Sequence, residues 1–225
     1  MSKKCFAVIV AGGSGVRMGS DIPKQFLDLE GKPILLRTIE AFLKLSFPVE
    51  IIIVLPSDCI NMWKEICVSK GLNPECKIVP GGITRFHSVK NALKFVPEGA
   101  LVAVHDGVRP FTPAEMIESL FKKADECGAV IPVINPVDSM RHLTPEGYST
   151  HVKREEYVMI QTPQIFDSNI LLNAYNQPYS PHFTDDASVV ESSGHTISLA
   201  EGSHLNIKIT RKEDLVLAKA ILSVF

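Results

Sequence analysis

An arginine and a lysine stand in a glycine-rich, polar stretch, AGGSGVRMGSDIPKQF, which runs from Ala11 to Phe26 directly after the apolar run CFAVIV. Glycines behind a strand open backbone conformations closed to other residues and let the chain approach a ligand closely. Exposed N–H groups there, with the partial positive end of a following helix, make an anion site. Ala11, Gly12, Gly13 and Gly15 are therefore the candidate cradle for the phosphates of a nucleotide. Arg17, inside the glycine segment, and Lys24, behind Pro23, add two cations for which a plain turn has no use. Nucleotidyl transfer does have a use for them, because charge accumulates on non-bridging oxygens in its transition state. A cation ~4 Å from such an oxygen contributes about 1 kcal/mol in water and ~4 kcal/mol at an effective dielectric of about 20, so burial decides its worth. The stretch is neither a Walker A motif, lacking Gly-Lys-Ser/Thr, nor a dinucleotide fingerprint, having Met18 where the third glycine belongs. A tight strand-to-helix turn is the plain alternative.

A second candidate is Asp106, which ends the apolar run ALVAVH. A carboxylate there emerges at the carboxyl edge of a sheet, where open α/β folds bind ligands, and could hold magnesium beside a triphosphate. A turn or cap aspartate is the structural alternative. His105 beside it reads as a packed, hydrogen-bonded histidine, and the histidines show no zinc spacing. No Ser-His-Asp or Cys-His pattern stands out, although such groups can meet from distant sequence.

The elements that must position these residues are short β-branched runs alternating with helical patterns, as in successive βαβ units on a largely parallel sheet. FAVIV, EIIIVLP, KIVPGG, ALVAVHD, GAVIPV, HTISLA and LNIKIT are the expected strands, apolar enough to be covered on both faces. Pro33 to Leu45 repeats apolar residues at helical spacing. Thr112, Pro113 and Glu115 read as a helix start with a capping side chain, and Thr210 to Glu213 repeats the capping-box spacing before a last helix. The polar segment Pro136 to Tyr157 breaks the alternation. It reads as an extended hairpin turning at Thr144 to Gly147, protruding from the body and needing cover, most simply from a second subunit. Asp185 and Asp186 sit where N-caps belong.

The 225 residues, 45% hydrophobic and 21% charged, suit one domain, 1–225, with a substantial core. A net charge of −2 provides no global basic field for nucleic acid or acidic membrane, so the expected partner is small and its anionic groups are met locally. The first apolar run is too short for a signal peptide, and no run approaches the ~20 apolar residues of a membrane span, so a cytoplasmic protein is expected. Five cysteines without a C-x-x-C read as reduced core thiols.

Taken together, AGGSGVRMGSDIPKQF, GGITRFHSV, HDGVRP, KREEYVMIQTPQIF, FTDDASVVE and NIKIT resemble, nearly end to end, the 2-C-methyl-D-erythritol 4-phosphate cytidylyltransferases of the non-mevalonate isoprenoid pathway. The resemblance implies a Rossmann-like α/β fold of the nucleotidyltransferase, GT-A-like kind, with a mostly parallel twisted sheet, helices on both faces and a protruding β-arm at 136–157 for homodimerisation. It implies cytidylyl transfer from CTP to the polyol phosphate with a divalent metal, usually magnesium, by direct in-line attack. In that likeness Arg17 and Lys24 stabilise the transition state, while Arg154 and Lys208 position the attacking phosphate. Arg85 and Ser88 lie in a loop the family uses near the nucleotide. Arg109 and Ser139 match positions that reach the polyol phosphate across a dimer interface, and Thr162, on a strand returning from the arm, is a further substrate contact. Ser139 stands where the family usually has threonine, Arg141 where it often has lysine, and His204 where many relatives carry an acid. Serine keeps the hydroxyl of threonine. A ribitol 5-phosphate cytidylyltransferase is the nearest rival reading. A dehydrogenase and a noncatalytic nucleotide-binding protein are more distant ones, and neither accounts for the four cations.

Overall fold

The computed structural model describes residues 3–12, 22–72 and 75–224. Arg17, Gly13 and Gly15 thus lie outside the described residues. In chain order the elements are β1 (Cys5–Val10), β2 (Asp28–Leu29), β3 (Lys32–Pro33), α1 (Ile34–Leu43), β4 (Val49–Leu55), α2 (Cys59–Ser69), β5 (Cys76–Pro80), α3 (Arg85–Leu93) and β6 (Leu101–Asp106). There follow α4 (Ala114–Cys127), β7 (Ala129–Ile134), β8 (Arg141–Leu143), β9 (Ser149–His151), β10 (Met159–Ile160), β11 (Gln164–Asp167), α5 (Ser168–Ala174), α6 (Asp186–Ser192), β12 (Ser198–Glu201) and α7 (Lys212–Leu222).

Strands β5, β4, β1 and β6 lie side by side and parallel, with Val10 level with both Val54 and Asp106. Beyond β6 the sheet continues through β11, which is antiparallel to both β6 and β7, and β12 runs parallel to β7. The chain winds outward from β1 to β4 and β5, then returns to place β6 on the other side of β1. The order therefore reverses between β1 and β6, the kind of switch point where open α/β sheets leave a crevice at the strands' carboxyl ends.

Period-two alternation divides the core between two faces. Cys5, Ala7, Ile9, Ile51, Ile53, Leu101 and Ala103 pack with α1, α2 and α4. Phe6, Val8, Ile52, Val54, Val102, Val104 and Phe166 pack with α3, α5 and α6. A smaller cluster of Leu29, Ile34, Val108, Ile209 and Ala218 seats α7 against the short β2–β3 pair. The free cysteines range from buried (Cys5, Cys59) through half-buried (Cys67, Cys76) to exposed (Cys127), so the expectation of core thiols fails at Cys127, just ahead of the glycine that ends α4.

Three local expectations are corrected. LNIKIT is not a strand. Its Ile207 and Asn206 amides close tight turns on Leu205 and Ser203, and only Ile209 reaches out, to the Val108 carbonyl, so no ladder forms. Thr112 does not cap α4. Pro113 holds that position, and the Thr112 hydroxyl donates to Asn206 Oδ1 at 2.9 Å. At the last helix the acid that reaches back is Asp214 rather than Glu213, accepting from Thr210 N, Thr210 Oγ1 and Arg211 N.

The 136–157 segment does form a hairpin, separate from the main sheet, with Thr144 and Gly147 closing the turn and Gly147 at φ 87°. Only Arg141–Leu143 and Ser149–His151 pair, and a 3-10 turn at Arg154–Glu156 follows. Val137, Leu143 and Tyr148 are exposed along it.

Candidate active site

At the switch point, Val10, Ala11, Gly12, Lys24, Gln25, Gly82, Ile83, Thr84, Arg85, Ser88, Asp106, Val108 and Lys208 enclose a cavity of about 310 Å³, within the size range of small-ligand sites. A larger cavity of about 390 Å³ lies between α1, the 110–115 loop and α7. Of its charged residues, Arg37 is held by the Leu29 and Glu30 carbonyls and Glu40 by Lys32. The chemistry-bearing residues gather in the first cavity.

Lys24, Gln25 and Phe26 form a single 3-10 turn behind Pro23. Three residues per turn send three side chains in three directions. Lys24 lines the cavity, Gln25 is fully buried with Nε2 donating to the Ala11 carbonyl at 2.9 Å, and Phe26 stacks on Trp63 in the core. The turn therefore fastens the lysine to the carboxyl end of β1 and to α2 at once.

Asp106 is buried at the end of β6, and its Oδ2 accepts from Lys208 Nζ at 3.0 Å and Arg109 Nε at 3.2 Å. Burial pushes its carboxyl pKa up, but Lys208, Arg85 and Arg109 overcome that and hold it well below the usual carboxylate range. Arg109 also donates from Nη1 to the Asn206 carbonyl at 2.7 Å. Its guanidinium is thus occupied beneath Asp106, where a substrate contact had been expected.

Thr162 likewise turns inward. Its hydroxyl accepts from the Asp106 amide at 3.1 Å and meets His105 Nδ1 at 3.0 Å. Burial, only partly offset by Asp106, pushes the His105 pKa down to about 4, so the ring is neutral near pH 7. A neutral ring accepting from Thr162 at Nδ1 carries its proton on Nε2, which then donates to the Arg109 carbonyl at 3.3 Å. His105 is the packed histidine the sequence suggested, with its edge against Phe42. Asn206, fully buried, joins the same network by donating from Nδ2 to the Thr162 carbonyl at 2.8 Å.

Arg85 opens α3 with Nη2 on Asp186 Oδ2 at 2.6 Å, and Tyr175 donates to the other oxygen of that acid at 2.6 Å. Burial opposes the charge on Arg85, but Asp186 outweighs it and raises the guanidinium pKa further. Ser88 accepts from the Gly82 amide and donates to the Thr84 carbonyl, each at 3.0 Å, so its hydroxyl braces the loop that borders the cavity. Asp185 caps α6 by accepting from Ser188 N at 2.9 Å, and Gln164 Oε1 accepts from the next two amides. Both acids of FTDDAS are therefore structural, as expected.

Arg154 and Ser139 stay out of this cavity. Arg154 lies on the arm, Nη1 donating to the Val137 carbonyl at 2.6 Å, and Ser139 is exposed where the chain enters the arm. Sequence reasoning assigned no role to Gln25 or Asn206, and neither stands beside a glycine or proline that could have marked it.

Among the described residues no group of three or more His, Cys, Asp or Glu side chains could hold a metal. Asp106 offers one carboxylate, with one oxygen already shared by two cations. A hard cation such as magnesium would find one carboxylate donor here, Asp106, and would need most of its oxygens from a ligand. Among the described residues no helix is long and apolar enough to cross a membrane.

A mostly parallel sheet with a cation-lined crevice at its switch point is the frame of a nucleotide-handling α/β enzyme of the nucleotidyltransferase class. The chain belongs to the 2-C-methyl-D-erythritol 4-phosphate cytidylyltransferase family, whose model matches residues 5–224. It is 50% identical over 215 residues to the enzyme of that name from Bacteroides thetaiotaomicron, covering 96% of this chain and 98% of the relative. To the Clostridium novyi enzyme it is 41% identical over 226 residues, covering 99% and 97%. Among solved structures, the 4-diphosphocytidyl-2C-methyl-D-erythritol synthase of Anaerococcus prevotii superposes with a TM-score of 0.83 at 28% identity, covering 98% of this chain and 96% of that one. The cytidylyltransferase of Thermus thermophilus does so at 0.76 and 28%, covering 98% and 99%.

Proposed function

We propose that this chain transfers a cytidylyl group from CTP to 2-C-methyl-D-erythritol 4-phosphate, giving 4-diphosphocytidyl-2-C-methyl-D-erythritol and pyrophosphate. The observation that carries the reading is the crevice between β1 and β6, lined by Lys24, Arg85, Lys208 and the buried Asp106. A polyanion entering it meets more positive than negative charge in a setting that weakens solvent screening.

An oxygen of the polyol phosphate attacks the α-phosphorus of CTP in line. The new P–O bond forms as the bond to the β-phosphate oxygen breaks, and pyrophosphate leaves with that electron pair. Lys24, with Arg17 from the glycine segment, stabilises the charge on the α-phosphate oxygens. Lys208 steers the attacking phosphate, and Asp106 with Arg109 holds Lys208 in place. Asp106 would hold a magnesium ion accompanying CTP, which would neutralise charge on the triphosphate. Arg154 and Ser139, on the exposed arm, complete the polyol phosphate site in a cytoplasmic homodimer. No side-chain nucleophile takes part.

The test is pyrophosphate release by purified protein given CTP and magnesium with either methylerythritol 4-phosphate or ribitol 5-phosphate. Turnover with the first and little with the second is expected. The reverse preference overturns the substrate assignment, and no release with either overturns the activity.

A further inference from the structure

Lys24 sits on a 3-10 turn and Arg85 on α3, but Lys208 stands in a stretch with no helix or strand of its own. Its position must be set by other means. The pairing of β12 with β7 closes where the Gly202 amide donates to the Val133 carbonyl at 2.8 Å, and the backbone next reaches the body through the Ile209 amide on the Val108 carbonyl at 2.9 Å. Between those points side chains do the fastening.

Gln161 is buried directly behind β10, its own amide donating to the Pro132 carbonyl at 2.9 Å. Its side chain holds both polar groups of one residue: Nε2 donates to the Ser203 carbonyl at 2.8 Å, and Oε1 accepts from the Ser203 amide at 3.1 Å. Asn206 fastens the segment again, Oδ1 accepting from the Thr112 hydroxyl and Nδ2 donating to the Thr162 carbonyl and, at 3.3 Å, to Gln161 Oε1. Gly202 leaves the room this needs, since a Cβ there would lie 2.6 Å from Gln161 Oε1. Any other placement of the segment would leave these buried polar groups unpaired.

We propose that Gln161 and Asn206 are positioning residues that hold Lys208 against Asp106, where its ammonium stands 3.0 Å from Oδ2. The kinetic consequence rests on the assignment of Lys208 to the attacking phosphate above. The CTP side is tied separately, through Gln25 to Ala11 and Ser88 to Gly82.

The experiment compares wild type with Gln161→Met, Asn206→Ala, Lys208→Ala and the Gln161→Met/Lys208→Ala pair. Gln161→Met keeps the length of the side chain and loses its hydrogen bonds. In it and in Asn206→Ala, the KM for the polyol phosphate should rise about tenfold, as when a substrate-orienting group is displaced by about an ångström, with the KM for CTP within about twofold. Once Lys208 is alanine, Gln161→Met should cost little more, because the group it places is gone. A residue serving stability alone would lower kcat through loss of folded enzyme, leave both KM values unchanged and act independently of Lys208→Ala. That pattern, or wild-type kinetics in both single variants, overturns the proposal. The acetylation rate of Lys208, followed by mass spectrometry, reads its placement without turnover. Release from Asp106 should speed labelling in Gln161→Met, and a rate equal to wild type overturns the proposal. Should Lys208→Ala leave the polyol phosphate kinetics unchanged, or the wild type release no pyrophosphate, the assignment of Lys208 to the reaction fails alone. The labelling rates then still decide whether Gln161 and Asn206 position it.

Discussion

Lys24 reaches the cavity from a turn whose two other side chains are fixed elsewhere, so removing its ammonium changes charge without freeing the backbone. Lys24→Ala should lower kcat by ~10²- to 10³-fold, the range for loss of one transition-state donor, with an unchanged melting profile. The same loss is expected for Arg17→Ala, and steady-state pyrophosphate release reads both; near wild-type turnover would remove them from the mechanism. His105 gives a pH prediction. Its pKa falls from 6.5 to about 4 on folding, so between those values the unfolded chain binds a proton that the folded chain does not. Its contribution, on the order of 3 kcal/mol, is complete above pH 6.5 and drains as pH falls toward 4. Denaturant titrations across that window should show stability rising with pH, with a shallower slope in His105→Gln. Equal slopes would place His105 outside the acid response. At this scale Lys24, Arg85, Ser88, Asp106 and Lys208, all named from the sequence, line one cavity, while Arg154 and Ser139 stay outside it. Arg17 and Lys24 announce themselves by interrupting a glycine segment. Thr162 was read as a substrate contact because its strand returns from the arm; its hydroxyl partners here, Asp106 and His105, lie more than fifty residues away and could not be read from the sequence.

At the scale of elements, β1 and β6 carry the site because their carboxyl ends sit level and their loops meet closely. A Cβ at Gly107 would lie 2.8 Å from Ala11 Cβ and 3.2 Å from Leu35 Cδ1. Gly107→Ala should therefore cost ~1–3 kcal/mol, as overpacked cores do, and push apart the two loops that frame the crevice. A lowered urea midpoint together with a raised CTP KM is the expected pair of readings; wild-type values of both would show that the loops can give way. The β1, β4, β6 and β7 strands were readable because burial on both faces writes them as continuous apolar runs. LNIKIT carries the same β-branched pattern and is a loop, since Ile209 fills the small cluster beneath α7 and Asn206 is drawn into the Thr162 network. Periodicity reports which side chains are buried. It cannot say whether a neighbouring strand is available for pairing.

For the whole molecule, the arm is the feature that an isolated chain leaves without a role. Val137, Leu143 and Tyr148 are exposed along it, and Tyr157 to Ile160 continue the apolar surface toward the sheet. Deleting residues 139–155 should yield monomers in sedimentation equilibrium with little activity, and a fully active monomer would contradict the dimeric reading. From this arm the chain passes through β10 and Thr162 into β11, which slots between β6 and β7 and ends beside α5. In the proposed dimer, a segment tethered at one end to a solvent-facing projection and at the other to the centre of the sheet would make subunit pairing and active-site geometry a single mechanical problem. Enzyme diluted below its association threshold should then lose specific activity disproportionately, and progress curves started from dilute stocks should show a lag that shortens as the starting concentration rises.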